Sequence, residues 1–361
     1  MADAVALNRW YQAGVRLDAV VDTMAQLRRS VARTASRTWV MTLVAVVTSD
    51  DEVHQATQVL RALGAHHPAR LVVIQAVSDV RIASGIESGV GSGVGSGVEA
   101  GVESGVESGV ESGLHDSGAP GAAIDASVTI YGAEVDGHPL TFDEVGLWVR
   151  GEAANHLDSI VEPFTLSDLP VVVWYPASLP AVSEPLLAKA SSVLVDTKEA
   201  HDVAGLIALA GRRAVVDLSW MRLRPWREMV AALLEPPAFR PFVGQITSAY
   251  IAGKGGPRRL LAGWVASRLG LTKHQMELHD ARHARVVLRA GTAATFEVAR
   301  EEGERLVRAS ATIEGGPRHQ ELLPLPDDSL AWSLSEALTH LGRDRVWQQA
   351  LAAGVAADAW L

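Results

Sequence analysis

The most informative absence in this sequence is cysteine, which does not occur in its 361 residues. Without cysteine the chain can form no disulfide, no thiolate nucleophile and no cysteine-ligated zinc site. Control through oxidation of its own thiols is excluded for the same reason. Because a chain without disulfides suits a reducing compartment, we expect a cytoplasmic protein.

Long apolar runs are also missing. The most apolar stretches, residues 39–47 and 169–174, are far shorter than the roughly 20 residues of a membrane-spanning helix. The first residues lack the basic and apolar parts of a secretory signal, so we expect neither export nor a membrane partner. The formal net charge of −10 argues against nucleic acid as a partner.

The common signatures of catalysis are absent as well. The sequence contains no P-loop, no H-E-x-x-H, no G-x-S-x-G and no kinase signature. His279 and His283 would share one face of a helix, but the apolar run after them indicates a strand, so we expect no metal site there. We therefore predict a protein without catalytic residues, cofactor or metal.

What the sequence does contain is an alternation of apolar runs with amphipathic, helical patterns. Fully apolar strands are typical of a parallel sheet that is covered on both faces. The predicted strands include residues 39–47, 70–77, 127–135, 169–174, 192–195 and 213–216. We predict an α/β fold, in which a mostly parallel, doubly wound sheet domain is followed by a smaller α+β domain.

Composition suggests the boundaries of these parts. We predict an N-terminal helical segment at 1–35, the α/β domain at 36–235 and the α+β domain at 239–361. Within the α/β domain, the acidic start and apolar spacing of residues 143–161 predict a helix. Residues 84–118 form a low-complexity Gly/Ser/Val/Glu insert with glycine at every fourth position, which is typical of irregular structure.

Tryptophan is unusually frequent, with 10 tryptophans against 5 phenylalanines. Several lie beside arginine at strand ends and helix starts, and such pairs are common at the energetic centre of protein interfaces. The alternative is that the tryptophans pack in the core and only the arginines are exposed. The candidate partner-binding residues are Trp174, Tyr175, Trp220, Arg222, Arg224, Trp226 and Arg227.

Two other features have both a functional and a structural interpretation. The loop with Lys254, Arg258 and Arg259 joins a strand to a helix, and its glycines and cations could hold a phosphate or an acidic partner. A solvated turn would also need the glycines. Asp217 follows a strand, where α/β proteins place ligands, but capping the next turn is the commoner role.

The residues around Trp220 resemble a known family. Residues 217–227, D-L-S-W-M-R-L-R-P-W-R, resemble the D-L-x-W-x-R-L-x-P-W-R stretch of the OpcA-type glucose-6-phosphate dehydrogenase assembly proteins. Residues 168–176, D-L-P-V-V-V-W-Y-P, are similar to the family's D-L-P-V-x-x-W-W-P, and residues 67–70 to its H-P-x-R. Such similarities occur in order from about residue 37 to 269.

This resemblance implies a non-catalytic accessory subunit. Its partner would be glucose-6-phosphate dehydrogenase, whose assembly or allosteric activation it would promote in the pentose phosphate pathway. We then expect Arg222 and Arg227 to contact the partner, and their replacement by alanine to spare the fold. The rival hypothesis is a sugar-phosphate or nucleotide-binding enzyme of unrecognised type, which the predicted doubly wound sheet and the Lys254 loop would suit.

Overall fold

A computed structural model describes residues 4–31, 39–64, 67, 69–77, 124–135, 138–199, 202–301, 303, 305–357 and 359. The predicted insert at 84–118 lies outside these described residues. Within them, none of the helices combines the length and the apolar character that a membrane crossing requires.

The first sheet has eight strands in the described ranges. They are β1 (Val5–Gln12), β2 (Met41–Val47), β3 (Ala69–Val77), β4 (Ile124–Val135), β5 (His138–Arg150), β6 (Val171–Tyr175), β7 (Ser192–Val195) and β8 (Val215–Asp217). Their spatial order is β1-β4-β5-β3-β2-β6-β7-β8. The six strands from β5 to β8 in this order run parallel, whereas β4 is antiparallel to both of its neighbours.

The second sheet has six strands in the described residues. They are β9 (Ser248–Gly253), β10 (Met276–Asp280), β11 (Arg285–Ala290), β12 (Ala294–Arg300), β13 (Leu306–Ile313) and β14 (Arg318–Pro324). The order is β10-β9-β11-β12-β13-β14, and only β9 and β10 are parallel. The protein is therefore α/β with two mixed sheets. The doubly wound arrangement and the domain boundaries at 36–235 and 239–361 stay predictions.

Ten α-helices accompany the sheets in the described ranges. They are α1 (Leu17–Val31), α2 (Asp50–Gly64), α3 (Leu157–Val161), α4 (Val203–Arg212), α5 (Leu218–Arg222), α6 (Arg224–Leu234), α7 (Arg240–Val243), α8 (Gly255–Leu269), α9 (Leu330–Thr339) and α10 (Arg345–Ala356). Helices α8 and α10 pack closely at Gly263, where a Cβ atom would lie only 1.9 Å from the Ala350 carbonyl oxygen. A side chain at Gly263 would force these two helices apart.

The predicted helix at 143–161 is wrong over its first half, because residues 143–150 belong to strand β5. Val145, Leu147 and Val149 are buried at every second position, which is the period of a strand. Asp143 and Glu144 resemble a helix start, but both are buried and ion-paired, with Arg28 of α1 and Arg61 of α2 respectively. These partners are distant in sequence, so local pattern could not reveal them.

The N-terminal segment, predicted to be helical, also contains a strand. Strand β1 precedes α1 and pairs with β4, which places it at the edge of the first sheet. Its burial alternates between exposed and half-buried residues, as is typical of an edge strand. Because residues of such a strand are only partly buried, its apolar pattern is weak and the sequence did not predict it.

Candidate functional site: the tryptophan-arginine segment

Residues 217–227, here called the tryptophan-arginine segment, run from the end of β8 through α5 into α6. Asp217 begins the segment and caps α5, because its carboxylate accepts a hydrogen bond from the Ser219 backbone N–H at 2.9 Å. The Thr197 hydroxyl donates to the same carboxylate at 2.7 Å, and the Trp347 indole N–H donates at 3.2 Å. The capping role considered from the sequence is thus confirmed, and Asp217 also joins β7 and α10 to the segment.

Asp217 is almost fully buried, with 1% of its surface exposed. Burial raises the pKa of this carboxyl to about 6; hydrogen bonds from Thr197 oppose the rise, and the negative charge of Asp196 adds to it. Asp217 is therefore a buried negative charge at neutral pH, and it accepts hydrogen bonds from Thr197, Ser219 and Trp347.

We expect Asp217 to favour the folded state more at about pH 4 than at about pH 7. Its folded pKa of about 6 lies above the unfolded value, about 3.9. The contribution of Asp217 to the free energy of unfolding is fully present below the unfolded pKa. It falls by on the order of 2–3 kcal/mol as the pH rises through 6. The measurement is the difference in unfolding free energy between wild type and Asp217→Asn across this range. The unfolding free energy of the wild type should fall relative to that of Asp217→Asn as the pH rises, and a constant or rising value would contradict this prediction.

Trp220 continues the connection to the C-terminal helix. Its indole N–H donates to the Asp344 carboxylate at 2.7 Å, and that carboxylate caps α10 through the backbone N–H groups of Val346 and Trp347. Trp220 and Trp347 are both 1% exposed. Two reciprocal tryptophan–aspartate bonds, Trp220 to Asp344 and Trp347 to Asp217, therefore hold α10 against the segment.

Arg222 forms a bidentate ion pair inside the fold. Its two terminal nitrogens lie 2.9 Å from the two carboxylate oxygens of Asp196, and each side chain is only 13% exposed. Burial pushes the pKa of Asp196 upward, but the hydrogen bonds and charge of Arg222 outweigh it and hold this pKa below its usual value. The Arg222 Nε donates to the Asp328 carbonyl at 3.2 Å, so the side chain joins β7 to the loop before α9.

Arg227 stacks on the Trp220 ring, with its guanidinium carbon 3.5 Å from the ring centroid. Burial lowers the pKa of Arg227 to about 10, which leaves it charged at neutral pH. Since Arg222 and Arg227 both make internal contacts, we revise the expectation that their replacement by alanine would spare the fold.

Arg224 is more exposed than Arg222, with 43% of its side chain accessible against 13%. It lies 3.0 Å from Glu228 and 2.9 Å from Glu336, and these contacts, led by the hydrogen bond to Glu228, raise its pKa. Its guanidinium therefore joins α6 to α9 while one side stays open to solvent.

The aromatic candidates lie in the core. Trp174 is fully buried, Tyr175 is 6% exposed and Trp226 is 9% exposed. Burial, with a smaller effect of Glu184, raises the pKa of Tyr175. The burial of these side chains favours the core-packing alternative, and direct partner contacts by Trp174, Tyr175, Trp220 and Trp226 stay a prediction.

A cleft of about 750 Å³, here called the tryptophan cleft, lies beside the segment. Trp220, Trp264 and Trp347 form part of its wall, and charged side chains of α6 and of the turn before α10 surround them. Glu228, Arg343 and Arg345 are exposed at this rim, together with half-exposed Arg224. Trp220 and Trp347 are buried behind this wall, so the exposed part of the cleft is mainly its charged rim, and charged rims are common at protein interfaces.

A second cleft, here called the strand-end cleft, lies where β6 and β7 end and measures about 730 Å³. This is where parallel α/β sheets commonly bind ligands. Its lining includes four acids but only two cations: Asp196, Glu199, Asp202, Asp328, Lys198 and Arg222. An excess of acids disfavours a phosphorylated ligand.

Close packing of the backbone explains a glycine in the Lys254 loop. The Gly256 N–H donates to the Lys198 carbonyl at 3.0 Å, and a Cβ atom on Gly256 would lie 1.9 Å from the Thr197 carbonyl oxygen. Only glycine permits this close approach of the α8 N-terminus to the chain after β7. Lys254 is exposed and Arg258 is ion-paired with Asp280 at 2.9 Å.

The histidines considered as metal ligands do not share a helix, because His279 lies on β10 and His283 in the turn after it. His279 instead stacks on Tyr250, with ring centroids 4.7 Å apart. Across the described ranges, no group of three or more potential metal ligands comes together.

Sequence reasoning missed several residues of the site, chiefly Asp196, Asp344 and Trp347. Asp196 directly follows β7 and Asp217 is the last residue of β8, so the same strand-end rule could have identified Asp196. Asp344 and Trp347 lie more than 120 residues from their partners. No local pattern indicates such long-range bonds.

Comparison with known proteins identifies the family. A model described as the glucose-6-phosphate dehydrogenase subunit N-terminal domain matches residues 61–210, and one described as the C-terminal domain of that subunit matches residues 213–351. The OxPP cycle protein OpcA of Synechocystis sp. is 33% identical over 132 residues, which are 34% of this chain and 28% of that protein. The OpcA of Synechococcus elongatus is 39% identical over 59 residues, 16% of this chain and 13% of that protein.

The chain thus matches less than a third of the length of these two relatives. The two family models, by contrast, cover most of the chain, and they confirm the resemblance seen in the sequence. The chain belongs to the OpcA family of glucose-6-phosphate dehydrogenase assembly proteins.

Proposed function

We propose that the chain is a non-catalytic, cytoplasmic accessory subunit that binds glucose-6-phosphate dehydrogenase and promotes its assembly or allosteric activation in the pentose phosphate pathway. The family carries this proposal, since both matching models are described as parts of a subunit of that dehydrogenase. The two OpcA relatives, described as OxPP cycle proteins, support the same pathway.

The tryptophan-arginine segment supports a binding role rather than a reactive one. Its buried carboxylate accepts hydrogen bonds from three elements, and its central arginine is bidentate to Asp196. Because these side chains are engaged in internal hydrogen bonds and an ion pair, they are not available as reactive groups. They instead fix the position of the neighbouring surface residues. We infer that the segment shapes the tryptophan cleft, and that the cleft receives the partner.

The rim of the tryptophan cleft suggests the chemistry of the contact. Arg224, Arg343 and Arg345 line it together with a single exposed glutamate, Glu228, so the exposed rim is mainly basic. An acidic patch on the dehydrogenase would complement it and would accelerate association.

A charge reversal at the rim tests this surface. In Arg343→Glu/Arg345→Glu, both changed side chains are exposed, and a glutamate at position 345 suits the first turn of α10. We expect the affinity for the cognate dehydrogenase to fall about tenfold or more, mainly through slower association. Surface plasmon resonance at two salt concentrations measures this change.

The matched control is Arg289→Glu/Arg318→Glu, which makes the same charge change at exposed positions of the second sheet. It should bind within about twofold of the wild type. If the rim variant binds as tightly as the control, the tryptophan cleft is not the contact surface. If the wild-type chain itself does not bind the dehydrogenase, the accessory function is wrong.

The rival function, a sugar-phosphate or nucleotide-binding enzyme, is favoured by one observation, the strand-end cleft of about 730 Å³. The acidic excess of that cleft weighs against phosphorylated substrates. A rise in melting temperature of the isolated chain with glucose 6-phosphate or NADP would support this rival.

A further inference from the structure

A small pocket between the tryptophan-arginine segment and the second sheet, here called the basic pocket, has an unusual charge. Its volume is about 180 Å³. One acid, Asp328, lines it together with five cations: Arg222, Lys254, Arg258, Arg282 and Arg300. Trp226, Leu223, Leu261 and Leu325 contribute apolar wall.

Only two of these five cations are neutralised within the described part of the chain. Arg222 is paired with Asp196 and Arg258 with Asp280, whereas no ion pair forms at Lys254, Arg282 or Arg300 among the described residues. Like charges that line one pocket repel one another, and an anion between them would relieve that repulsion.

Two buried arginine nitrogens also favour an anion in this pocket. The Nε atoms of Arg258 and Arg300 are buried and have no hydrogen-bond partner in the described structure. The Arg258 side chain is only 11% exposed. A buried charged donor without a partner is costly, so each of these nitrogens would gain from an acceptor that enters the pocket.

The backbone brings these cations together from separate elements. Lys254 and Arg258 lie at the N-terminus of α8, the positive end of a 15-residue helix whose first turn contains no acid. The Ala281 N–H donates to the Gly253 carbonyl at 3.0 Å, which holds the turn with Arg282 beside this helix end. The Arg300 N–H donates to the Ala284 carbonyl at 3.1 Å and fixes the end of β12 against the same turn.

We propose that the basic pocket binds a phosphate group, either as inorganic phosphate or as the head of a small phosphomonoester. Phosphate presents several strong acceptors to the fork of donors on arginine, and a dianion balances the unpaired cations. The pocket is smaller than the 300–1,000 Å³ typical of sites for drug-sized ligands, so it suits a phosphate group rather than a whole dinucleotide. This inference does not depend on the proposed accessory role.

Isothermal titration calorimetry of the full chain with inorganic phosphate, at constant ionic strength, tests the proposal. We expect saturable binding, and we expect Lys254→Gln/Arg282→Gln to weaken it about tenfold or more, because two charged donors are lost. Both residues are exposed, so the fold should be retained, and an unchanged circular dichroism spectrum checks this. Arg300→Gln, the second variant, should weaken binding in the same direction.

The control, Arg289→Gln/Arg318→Gln, removes two exposed cations outside the pocket and should bind phosphate as the wild type does. A parallel titration with glycerol 3-phosphate distinguishes the source, since tighter binding than inorganic phosphate indicates an ester and weaker binding indicates the free ion. The proposal is overturned if neither inorganic phosphate nor glycerol 3-phosphate saturates the chain below about 10 mM. It is equally overturned if the pocket variants bind like the control.

Discussion

Replacing Arg222 with alanine is expected to lower the free energy of unfolding by about 3–5 kcal/mol. The change would leave Asp196 without its bidentate partner in a place where only 13% of the side chain is exposed. Losing one member of a buried ion pair is costly because the remaining charge keeps its desolvation penalty. Urea denaturation at neutral pH measures the loss.

Two comparisons make this test specific. Arg150→Ala breaks an ion pair with Asp125 in which the arginine is 55% exposed, and it should cost about 1 kcal/mol or less. The double variant Asp196→Leu/Arg222→Met removes both charges and should recover much of the loss. If Arg222→Ala is no more destabilising than Arg150→Ala, the ion pair does not hold the segment to β7.

Replacing Trp220 with alanine is expected to lower the free energy of unfolding by about 3–5 kcal/mol, the usual effect of emptying a buried aromatic site. Trp220 is 1% exposed, supports Arg227 on its ring and donates to the Asp344 carboxylate that caps α10. We therefore expect α10 to loosen together with the segment. Hydrogen exchange of the α10 amides, measured beside the unfolding free energy, reports both effects.

Trp220→Phe separates packing from hydrogen bonding. Phenylalanine keeps most of the ring but has no N–H for Asp344, so the expected loss is about 1–3 kcal/mol. If both substitutions cost the same, the hydrogen bond to Asp344 carries most of the effect and the packing little. A loss below about 1 kcal/mol for Trp220→Ala would contradict the buried position of the ring.

The central parallel strands were the most predictable part of the fold. Strand β7 was predicted with its observed bounds, and β2, β3, β6 and β8 within about two residues, because buried parallel strands are continuously apolar. Strand β5 was mistaken for a helix, since Asp143 and Glu144 are buried by ion pairs with Arg28 and Arg61 from distant helices. Local sequence shows the acids but not their partners.

The candidate site shows the same limit. The sequence singled out Trp220, Arg222 and Arg227 as candidate partner contacts because tryptophan and arginine are concentrated there, and that role stays a prediction. It could not show that their contacts are internal, since Asp196 and Asp344 come from other elements and Asp344 lies 124 residues from Trp220. Composition identified an important segment, and only the fold distinguishes its core from its exposed rim.

The sequence indicated only some of the residues that line the basic pocket. Lys254 and Arg258 were noticed beside a glycine-rich turn, whereas Arg282 and Arg300 reach the pocket through the turn after β10 and the end of β12. Arg259 of the predicted loop is not among the lining residues. Arg282 and Arg300 follow Lys254 and Arg258 by 24 or more positions, so these cations become neighbours only once the second sheet has formed.

The most direct test of the account is a titration of the cognate glucose-6-phosphate dehydrogenase with the purified full chain, followed by dehydrogenase activity and by light scattering of the mixture. We predict that the chain alone has no dehydrogenase activity, that it elutes together with the enzyme, and that it raises the enzyme's activity in a saturable way or increases its assembled fraction. Saturable co-elution with either change would support an accessory subunit. An enzyme whose activity and assembly stay the same at saturating chain would contradict it.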